Sequence, residues 1–493
     1  MNWKTVLAGV FLVALLLAAT KSESLWIDEG DTAYYAVQPT FDAWKTHLLT
    51  DNNADCQFPL YMLGIWAWEK VTGSSEYALR SLNVVFALLT IASFALIGRQ
   101  LRFPYLSALL LIQPFFWFYL NEARPYMLQI ASGAVLLAGF VTLRERRGGG
   151  LGWGLFITGT ILLYYATLLS FVTLGVFYTA LGLLILRKEI SLPRRWFWWG
   201  AFVALMIAPG ALYYLQTVLK GAGGARIWAV SPLNFVWVYD EIIGGVGLGP
   251  PVWQIREIAR GLLHSGFSPA AITPFLLAAI LALGIASAFL LSAWNLITHP
   301  GRGRTFRILA AILGIIAISF AVMSVLLKKA FWARHLSPVF PVYVLLLYGA
   351  LHFLIVGQKS VPRRILGYLL IGLLTLSSFQ LVFLGTYSRD DYREAARKAT
   401  ETLRHGGIVW WAGSWHCGAY YHLPISEGSS TSDHLILIQD PTKEVLLSEP
   451  TPELILISRA DVYDGHDTIN AYASANGFHP GLPSPRLFHL WEK

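Results

Sequence analysis

The uncharged residues 5–20 are followed within a few positions by the run Trp26-Ile27-Asp28-Glu29-Gly30-Asp31-Thr32. The first stretch is apolar enough to enter a membrane, so the run places three carboxylates beside an aromatic anchor at the membrane surface. Ionisable residues next to a bilayer are energetically costly and usually serve a function. We therefore predict that this run holds a catalytic carboxylate at the boundary between lipid and water. The alternative is a solvated loop that caps the following helix.

The composition is that of a polytopic α-helical membrane protein. Of the 493 residues, 55% are hydrophobic and only 13% are charged, and the mean hydropathy is +0.54. The net charge of +8 does not indicate nucleic-acid binding, because the basic excess lies in short loops between apolar segments. The two cysteines, Cys56 and Cys417, lack the spacing of a metal site, and a disulfide between them is left open.

The uncharged stretches predict about eleven membrane-spanning helices, since about 20 residues cross the hydrocarbon core. Residues 5–20 are interpreted as a retained first helix, because Ala18-Ala19-Thr20-Lys21 is a poor signal-peptide cleavage site. Residues 148–186 are long enough for two crossings, with a break near Tyr164–Ser170. The other predicted spans are 81–98, 103–121, 127–143, 196–219, the uncharged stretch 265–298, 308–327, 336–358 and 365–388.

The loops divide into a basic set and a less basic set, which indicates the orientation of the chain. Every loop on the side of the N-terminus is basic, so the positive-inside rule places the N-terminus in the cytoplasm. The odd number of spans then puts the C-terminus outside, with the loops at about 21–80 and about 216–268. The first of these is longer than a connection needs, and its amphipathic pieces Tyr34–Leu49 and Leu60–Lys70 predict helices in the membrane interface.

The character of the chain changes after residue 388. We predict a transmembrane domain at 1–388 and a small extracytoplasmic α/β domain at 389–493. The charged segment that begins at Arg389 is typical of an amphipathic helix, and Thr468–Ala475 predicts another helix. The predicted strands are the short apolar runs Ile408–Trp411, Leu435–Ile438, Leu454–Ile457 and Leu487–Leu490.

A short outer loop at 121–126 contains one acid and one base between two uncharged spans. A loop of this length stays near the bilayer surface. Arg124 offers a planar fork that suits a phosphate group. Glu122 is either a second catalytic carboxylate or the ion-pair partner of Arg124, and the sequence leaves both readings open.

A basic cluster in another outer loop departs from the positive-inside tendency. Lys328, Lys329 and Arg334 lie there, and a lipid phosphate or pyrophosphate would compensate for their charge. The alternative is contact with lipid headgroups of no particular identity. Arg80 also lies at the outer start of a span. The outer face therefore carries acids that suit the activation of a hydroxyl and bases that suit the binding of a phosphate.

Several motifs occur together in a known order. They are Trp26-Ile27-Asp28-Glu29, Phe58-Pro59-Leu60-Tyr61, Gly73–Leu82, Asn121-Glu122-Ala123-Arg124-Pro125-Tyr126, Arg334-His335-Leu336-Ser337-Pro338 and Asp391-Tyr392-Arg393-Glu394-Ala395-Ala396. As a set they resemble the polyprenyl-phosphate-sugar-dependent glycosyltransferases of the GT-C superfold. That group includes the protein O-mannosyltransferases and the aminoarabinose transferase that acts on lipid A.

The resemblance implies a fold, a reaction and roles for individual residues. The reaction is the inverting transfer of a hexosyl or pentosyl group from undecaprenyl or dolichyl phosphate to a hydroxyl of a glycan, lipid or protein. Asp28 is the expected general base, and the catalytic set also includes Glu29 and Glu122. Together with the basic residues of the outer face, the resemblance gives the expected ligands of the donor phosphate, which are Arg80, Arg124, Tyr126, Lys328, Lys329 and Arg334. No metal or cofactor is required, and a divalent cation on Asp28 or Glu29 is the alternative. The expected location is the bacterial cytoplasmic membrane, with catalysis outside the cytoplasm in the cell envelope.

Two other functions are compatible with many spans. A transporter or flippase of lipid-linked sugars would usually have charged residues or broken helices near the bilayer midplane. Here the spans are nearly free of charge, and the charges gather at the outer face. An envelope assembly protein without catalysis would not need the carboxylates of the first loop.

Overall fold

The computed structural model describes residues 3–50, 54–146, 148–219, 230–250, 273–298, 303–356, 360–384 and 389–493. The chain forms two compact units. The first comprises Met1–Ala19, Asp51–Leu63 and Leu82–Tyr387, and the second comprises Thr20–Thr50, Gly64–Ser81 and Ser388–Lys493. Two pieces of the predicted first outer loop therefore belong to the same unit as the C-terminal segment.

The first unit consists of apolar helices. Among the described residues, six helices are long and apolar enough to cross a membrane, and four shorter helices are also apolar. They agree with the predicted spans at 5–20, 81–98, 127–143, 196–219, 308–327, 336–358 and 365–388, and the chain is an integral membrane protein. The helices are α1 (Trp3–Ala18), α5 (Glu76–Leu101), α8 (Tyr126–Glu145), α9 (Gly150–Ala166), α10 (Ser170–Leu186), α11 (Trp196–Leu219), α13 (Leu276–Thr298), α14 (Arg304–Leu327), α15 (Phe340–Ile355) and α16 (Val361–Phe383).

Two of the predicted apolar stretches, 148–186 and 103–121, are each divided into two helices. The stretch 148–186 forms α9 and α10 and breaks at Thr167–Leu169, within the predicted interval. The stretch 103–121 is not one continuous helix, contrary to the prediction, and consists of α6 (Leu106–Leu111) and α7 (Pro114–Leu120). Pro114 causes the break, because proline lacks an N–H and forces the preceding residue out of the helical conformation. The start of the predicted span 265–298 and parts of the loop 216–268 lie outside the described residues.

Close helix packing forms the core of the first unit. Helix α8 is buried along nearly its whole length and packs against α9. The close approach depends on Gly139 and Gly159, because a Cβ on either residue would lie 2.3 or 2.4 Å from a backbone nitrogen of the facing helix. A shorter helix, α12 (Pro232–Ile243), ends at Gly244 in the left-handed conformation and packs against a 3-10 turn at Ala333–Leu336.

The second unit contains the helices of the first outer loop. The predicted interfacial piece Tyr34–Leu49 is divided between α2 (Ile27–Ala36) and α3 (Phe41–Thr50), with Pro39 in the turn between them. The predicted piece Leu60–Lys70 lies within α4 (Pro59–Thr72), which continues from the first unit into the second. Whether these helices lie in the membrane interface stays a prediction.

The C-terminal part of the second unit is a five-stranded sheet with strand order β4-β1-β5-β7-β6. Strands β4, β1 and β5 are parallel, whereas β7 and β6 are antiparallel to their neighbours. The four predicted strands and both predicted helices are confirmed. The elements are α17 (Tyr392–Arg404), β1 (Val409–Ala412), α18 (Trp415–Tyr420), β2 (Ile425–Ser426), β3 (Ser429–Ser430), β4 (Leu435–Leu437), α19 (Lys443–Ser448), β5 (Leu454–Ser458), α20 (Ala460–Tyr463), α21 (Thr468–Ala475), β6 (His479–Pro480) and β7 (Phe488–Glu492).

The central strands of this sheet are buried on both faces. Val409 and Trp411 of β1 belong to one hydrophobic core, and Trp410 and Ala412 belong to the other. This alternation follows from the period of two residues in a strand. A strand covered on both faces needs a continuous apolar sequence, which is why these runs were recognisable.

Candidate active site

Helix α2 holds the acidic run that follows the first apolar helix. The helix begins at Ile27, so Asp28 and Glu29 lie in its first turn, where unpaired N–H groups and the helix dipole favour negative charge. Successive helical residues point about 100° apart. The two acids consequently have different surroundings: Asp28 is half-buried, and Glu29 is fully buried.

Glu29 is held by two arginines within the second unit. Arg80 donates from Nε to Glu29 Oε1 at 2.8 Å and from Nη2 to Oε2 at 2.7 Å, and Arg389 donates to Oε2 at 3.2 Å. Arg80 also donates to the backbone oxygens of Lys21, Glu23 and Ser24 at 3.1, 2.6 and 3.2 Å. Every N–H of its guanidinium group thus has an acceptor. In this arrangement Arg80 has no donor left for a phosphate, and its charge is compensated by Glu29.

A second polar network in this unit was not recognised from the sequence. Asp31 Oδ1 lies 3.1 Å from His416 Nδ1 and accepts a hydrogen bond from Ser414 Oγ at 3.2 Å. The other ring nitrogen of His416 lies 3.4 Å from the hydroxyl of Tyr35. These contacts join α2 to α18. The sequence signalled the acid but not its partners, which are more than 380 positions away along the chain.

The first unit contains the loop 121–126, which is buried throughout. Asn83 fastens it by donating to the backbone oxygens of Tyr119 and Leu120, each at 3.3 Å, and to that of Glu122. Arg124 forms an ion pair with Asp55, which is fully buried. An acid that pairs with Arg124 is therefore Asp55, which lies in the 3-10 turn at 54–57 and was not singled out from the sequence.

The residues of the basic cluster at 328–334 have different surroundings. Arg334 lies over the ring of Tyr126, with 5.9 Å from its Cζ atom to the ring centre. Lys328 ends α14 in the left-handed conformation and is exposed, and Lys329 is half-buried. Neither lysine forms an ion pair with another residue in the part of the chain that the structure describes. His335 stays neutral, because burial and the charge of Arg334 lower its pKa to about 3.

Glu241 is another ionisable residue of this unit that was not singled out from the sequence. It is buried on α12, and the hydroxyl of Tyr119 donates to its Oε1 at 2.5 Å. Burial raises the pKa of Glu241 to about 7, although the hydrogen bond from Tyr119 and the charge of Arg334 act in the opposite direction. The sequence signal was a pair of adjacent acids, Asp240 and Glu241, near the end of an apolar helix, and Glu241 lies 122 positions along the chain from Tyr119.

Within the described residues, no group of three or more His, Cys, Asp or Glu side chains forms a potential metal site. A divalent cation bound by Asp28 or Glu29 alone stays an untested alternative. Cys56 and Cys417 are both buried thiols. Burial raises the pKa of both, to about 11 for Cys56, so neither is a reactive thiolate at neutral pH.

The sequence matches no protein-family model and no curated protein. Two solved structures are similar to the whole chain: the crystal structures of ArnT from Cupriavidus metallidurans in the apo state and bound to undecaprenyl phosphate. Each superposes with a TM-score of 0.51 and covers 99% of this chain and 97% of ArnT, at 12% and 14% sequence identity. Similarity at this level of identity concerns the fold. It confirms the predicted fold class, a polytopic α-helical membrane fold of the GT-C type with a small C-terminal sheet domain.

Proposed function

We propose that this protein is a glycosyltransferase that moves a sugar from a polyprenyl phosphate to an acceptor hydroxyl at the outer face of the membrane. The observation that carries the proposal is the similarity in fold along nearly the full chain to ArnT, which has been crystallised with undecaprenyl phosphate bound. The polar residues gathered in buried sites of an otherwise apolar protein support an enzyme.

Asp28 is the proposed general base, which takes the proton of the acceptor hydroxyl as that oxygen attacks C1 of the sugar. It lies half-buried in the first turn of α2. Glu29 is engaged by Arg80 and Arg389, and Asp31 by Ser414 and His416. Attack from the face opposite the departing phosphate would invert the configuration at C1. Glu29 then acts by positioning α2, and Arg80 acts through Glu29.

The leaving group is a lipid phosphate, and cations are proposed to stabilise its charge electrostatically. Arg334, Lys328 and Lys329 supply positive charge, and Tyr126 lies against Arg334. Arg124 is held by Asp55 and shapes the loop that also carries Glu122. No metal or cofactor is part of this mechanism. The proposed orientation has the N-terminus in the cytoplasm of a bacterium and the reaction outside, and the acceptor is a glycan, a lipid or a protein of the envelope.

The test uses the full chain in lipid nanodiscs with a panel of radiolabelled polyprenyl-phosphate sugars and an envelope extract as acceptor. We expect wild type to transfer label from one donor, and Asp28→Asn to lower turnover about 100-fold or more, as for the loss of a general base. The matched control is Asp42→Asn, which changes an exposed acid in the first turn of α3. It should transfer at the wild-type rate.

Two results would contradict the proposal. Substantial turnover by Asp28→Asn, with folding verified by its thermal transition, would remove Asp28 as the base. Labelled sugar that crosses the bilayer of proteoliposomes but is never attached to an acceptor would instead indicate a flippase. No label transfer and no label movement would favour an envelope assembly role.

A further inference from the structure

Glu241 lies in an apolar environment near the end of α12. Its carboxylate is buried, and Tyr119 of α7 donates a hydrogen bond to Oε1 at 2.5 Å. An acid in such a position is costly to ionise unless a positive charge is near. No described basic residue forms a direct ion pair with it, so its charge depends on a cation at longer range.

That cation is Arg334. The ring of Tyr119 meets the ring of Tyr126 edge to face, with 4.9 Å between their centres. Arg334 lies over the other ring of this pair, that of Tyr126, at 5.9 Å. Its charge is close enough to favour the ionised form of Glu241. The acid and the half-buried arginine are thus the two ends of one continuous cluster.

The other charges around Glu241 are few. Asp240 on the same helix disfavours its ionisation, and burial raises the pKa of Asp240 itself to about 6. The 3-10 turn packed against α12 contributes Arg334 and the neutral His335. Helix α7 contributes Tyr119. Helix α13 and the short turn directly after α12 carry no ionisable side chain.

We propose that Glu241 is an internal counter-ion of Arg334 and that it takes up a proton when an anionic lipid phosphate binds at Arg334. This inference rests on the proposed function, since it assigns the phosphate of the donor to Arg334. A bound phosphate would neutralise the arginine and add negative charge near the acid. Both changes disfavour the carboxylate, so its protonated form becomes the stable one.

The consequence for the reaction is that the Glu241 carboxylate and the donor phosphate do not compete for Arg334. With the pKa of Glu241 at about 7, the acid is partly ionised in the empty protein at neutral pH. Protonation then leaves Arg334 to the phosphate, and Glu241–OH becomes a hydrogen-bond donor within the cluster. Binding should weaken as the pH rises, because the protein must take its proton from a more basic solution.

The experiment measures protons taken up on binding by calorimetry in two buffers of different ionisation enthalpy. The probe is undecaprenyl methyl phosphate, a phosphodiester with one fixed negative charge, added to the full chain in nanodiscs. At about pH 8 we expect wild type to take up more than about half a proton per bound lipid, falling towards zero at about pH 5.5. Glu241→Gln should bind the probe without this uptake, since the amide keeps an acceptor for Tyr119 but cannot titrate.

The matched control is Asp240→Asn, which changes the neighbouring half-buried acid of the same helix and should retain the uptake. Probe binding without proton uptake in wild type would overturn the inference and leave the proposed function standing, as would undiminished uptake in Glu241→Gln. Failure of wild type to bind the probe at any pH would overturn both. If Asp240→Asn lowers the proton uptake as much as Glu241→Gln does, the uptake does not belong to Glu241 specifically, and the inference is also overturned.

Discussion

Replacing Arg80 by lysine separates its two interpretations, as a phosphate ligand and as a structural partner of Glu29. The structure places this arginine at 1% exposure, with two hydrogen bonds to Glu29 and three to backbone oxygens. Lysine keeps the positive charge but has fewer donors and no planar fork. It would therefore leave Glu29 or some of the carbonyl groups unsatisfied in a buried site.

The expected loss of stability is large. Hydrogen bonds to charged groups contribute about 1.5–3 kcal/mol each, and complete removal of one partner of a buried ion pair costs about 3–5 kcal/mol. The substitution retains the charge and loses at least two donors, so we expect about 2–4 kcal/mol. For a unit of this size that corresponds to a fall in Tm of about 10 °C.

The assay is thermal unfolding of the full chain in nanodiscs, together with the Kd for undecaprenyl phosphate below the transition. We expect Arg80→Lys to lower Tm strongly and to change Kd little. Arg397→Lys is the control, because its ion pairs with Glu394 and Glu401 lie on the surface and Tm should not change measurably. An unchanged Tm with a Kd weakened about tenfold or more would refute the structural role and support the phosphate ligand.

Two further predictions concern the second unit. Gly30→Ala should lower Tm, with an overpacking cost of about 1–3 kcal/mol, because the added Cβ would lie 1.9 Å from Cys417 Sγ. Combining it with Cys417→Ala should recover most of that loss, and an equally unstable double variant would contradict the reasoning. Asp391→Ala should cost about 1 kcal/mol in the same assay, because Asp391 caps α17 by accepting from Glu394 N at 3.1 Å. Asp391→Asn should be close to wild type, since the amide oxygen retains the cap.

The separate roles of the predicted catalytic acids could not be derived from the sequence. Asp28 and Glu29 are adjacent and chemically similar, and no sequence pattern assigns them separate tasks. Their separation depends on the direction of each side chain on α2 and on Arg80, which reaches Glu29 from another helix. Likewise, the sequence left Glu122 open as a second catalytic carboxylate or as the partner of Arg124, and the structure adds Asp55 as an acid that pairs with Arg124.

The apolar helices, the break within 148–186 and the strands of the C-terminal sheet could be predicted from the sequence alone. Each of these follows from a local property, either the length of an apolar run or its period, which does not depend on contacts with distant parts of the chain. By contrast, it took the three-dimensional structure to show that two pieces of the first outer loop share a unit with the C-terminal segment, and that Glu241 lies beside Tyr119. Such contacts join positions more than a hundred residues apart, where the stabilising energy comes from burial and pairing that no local pattern records.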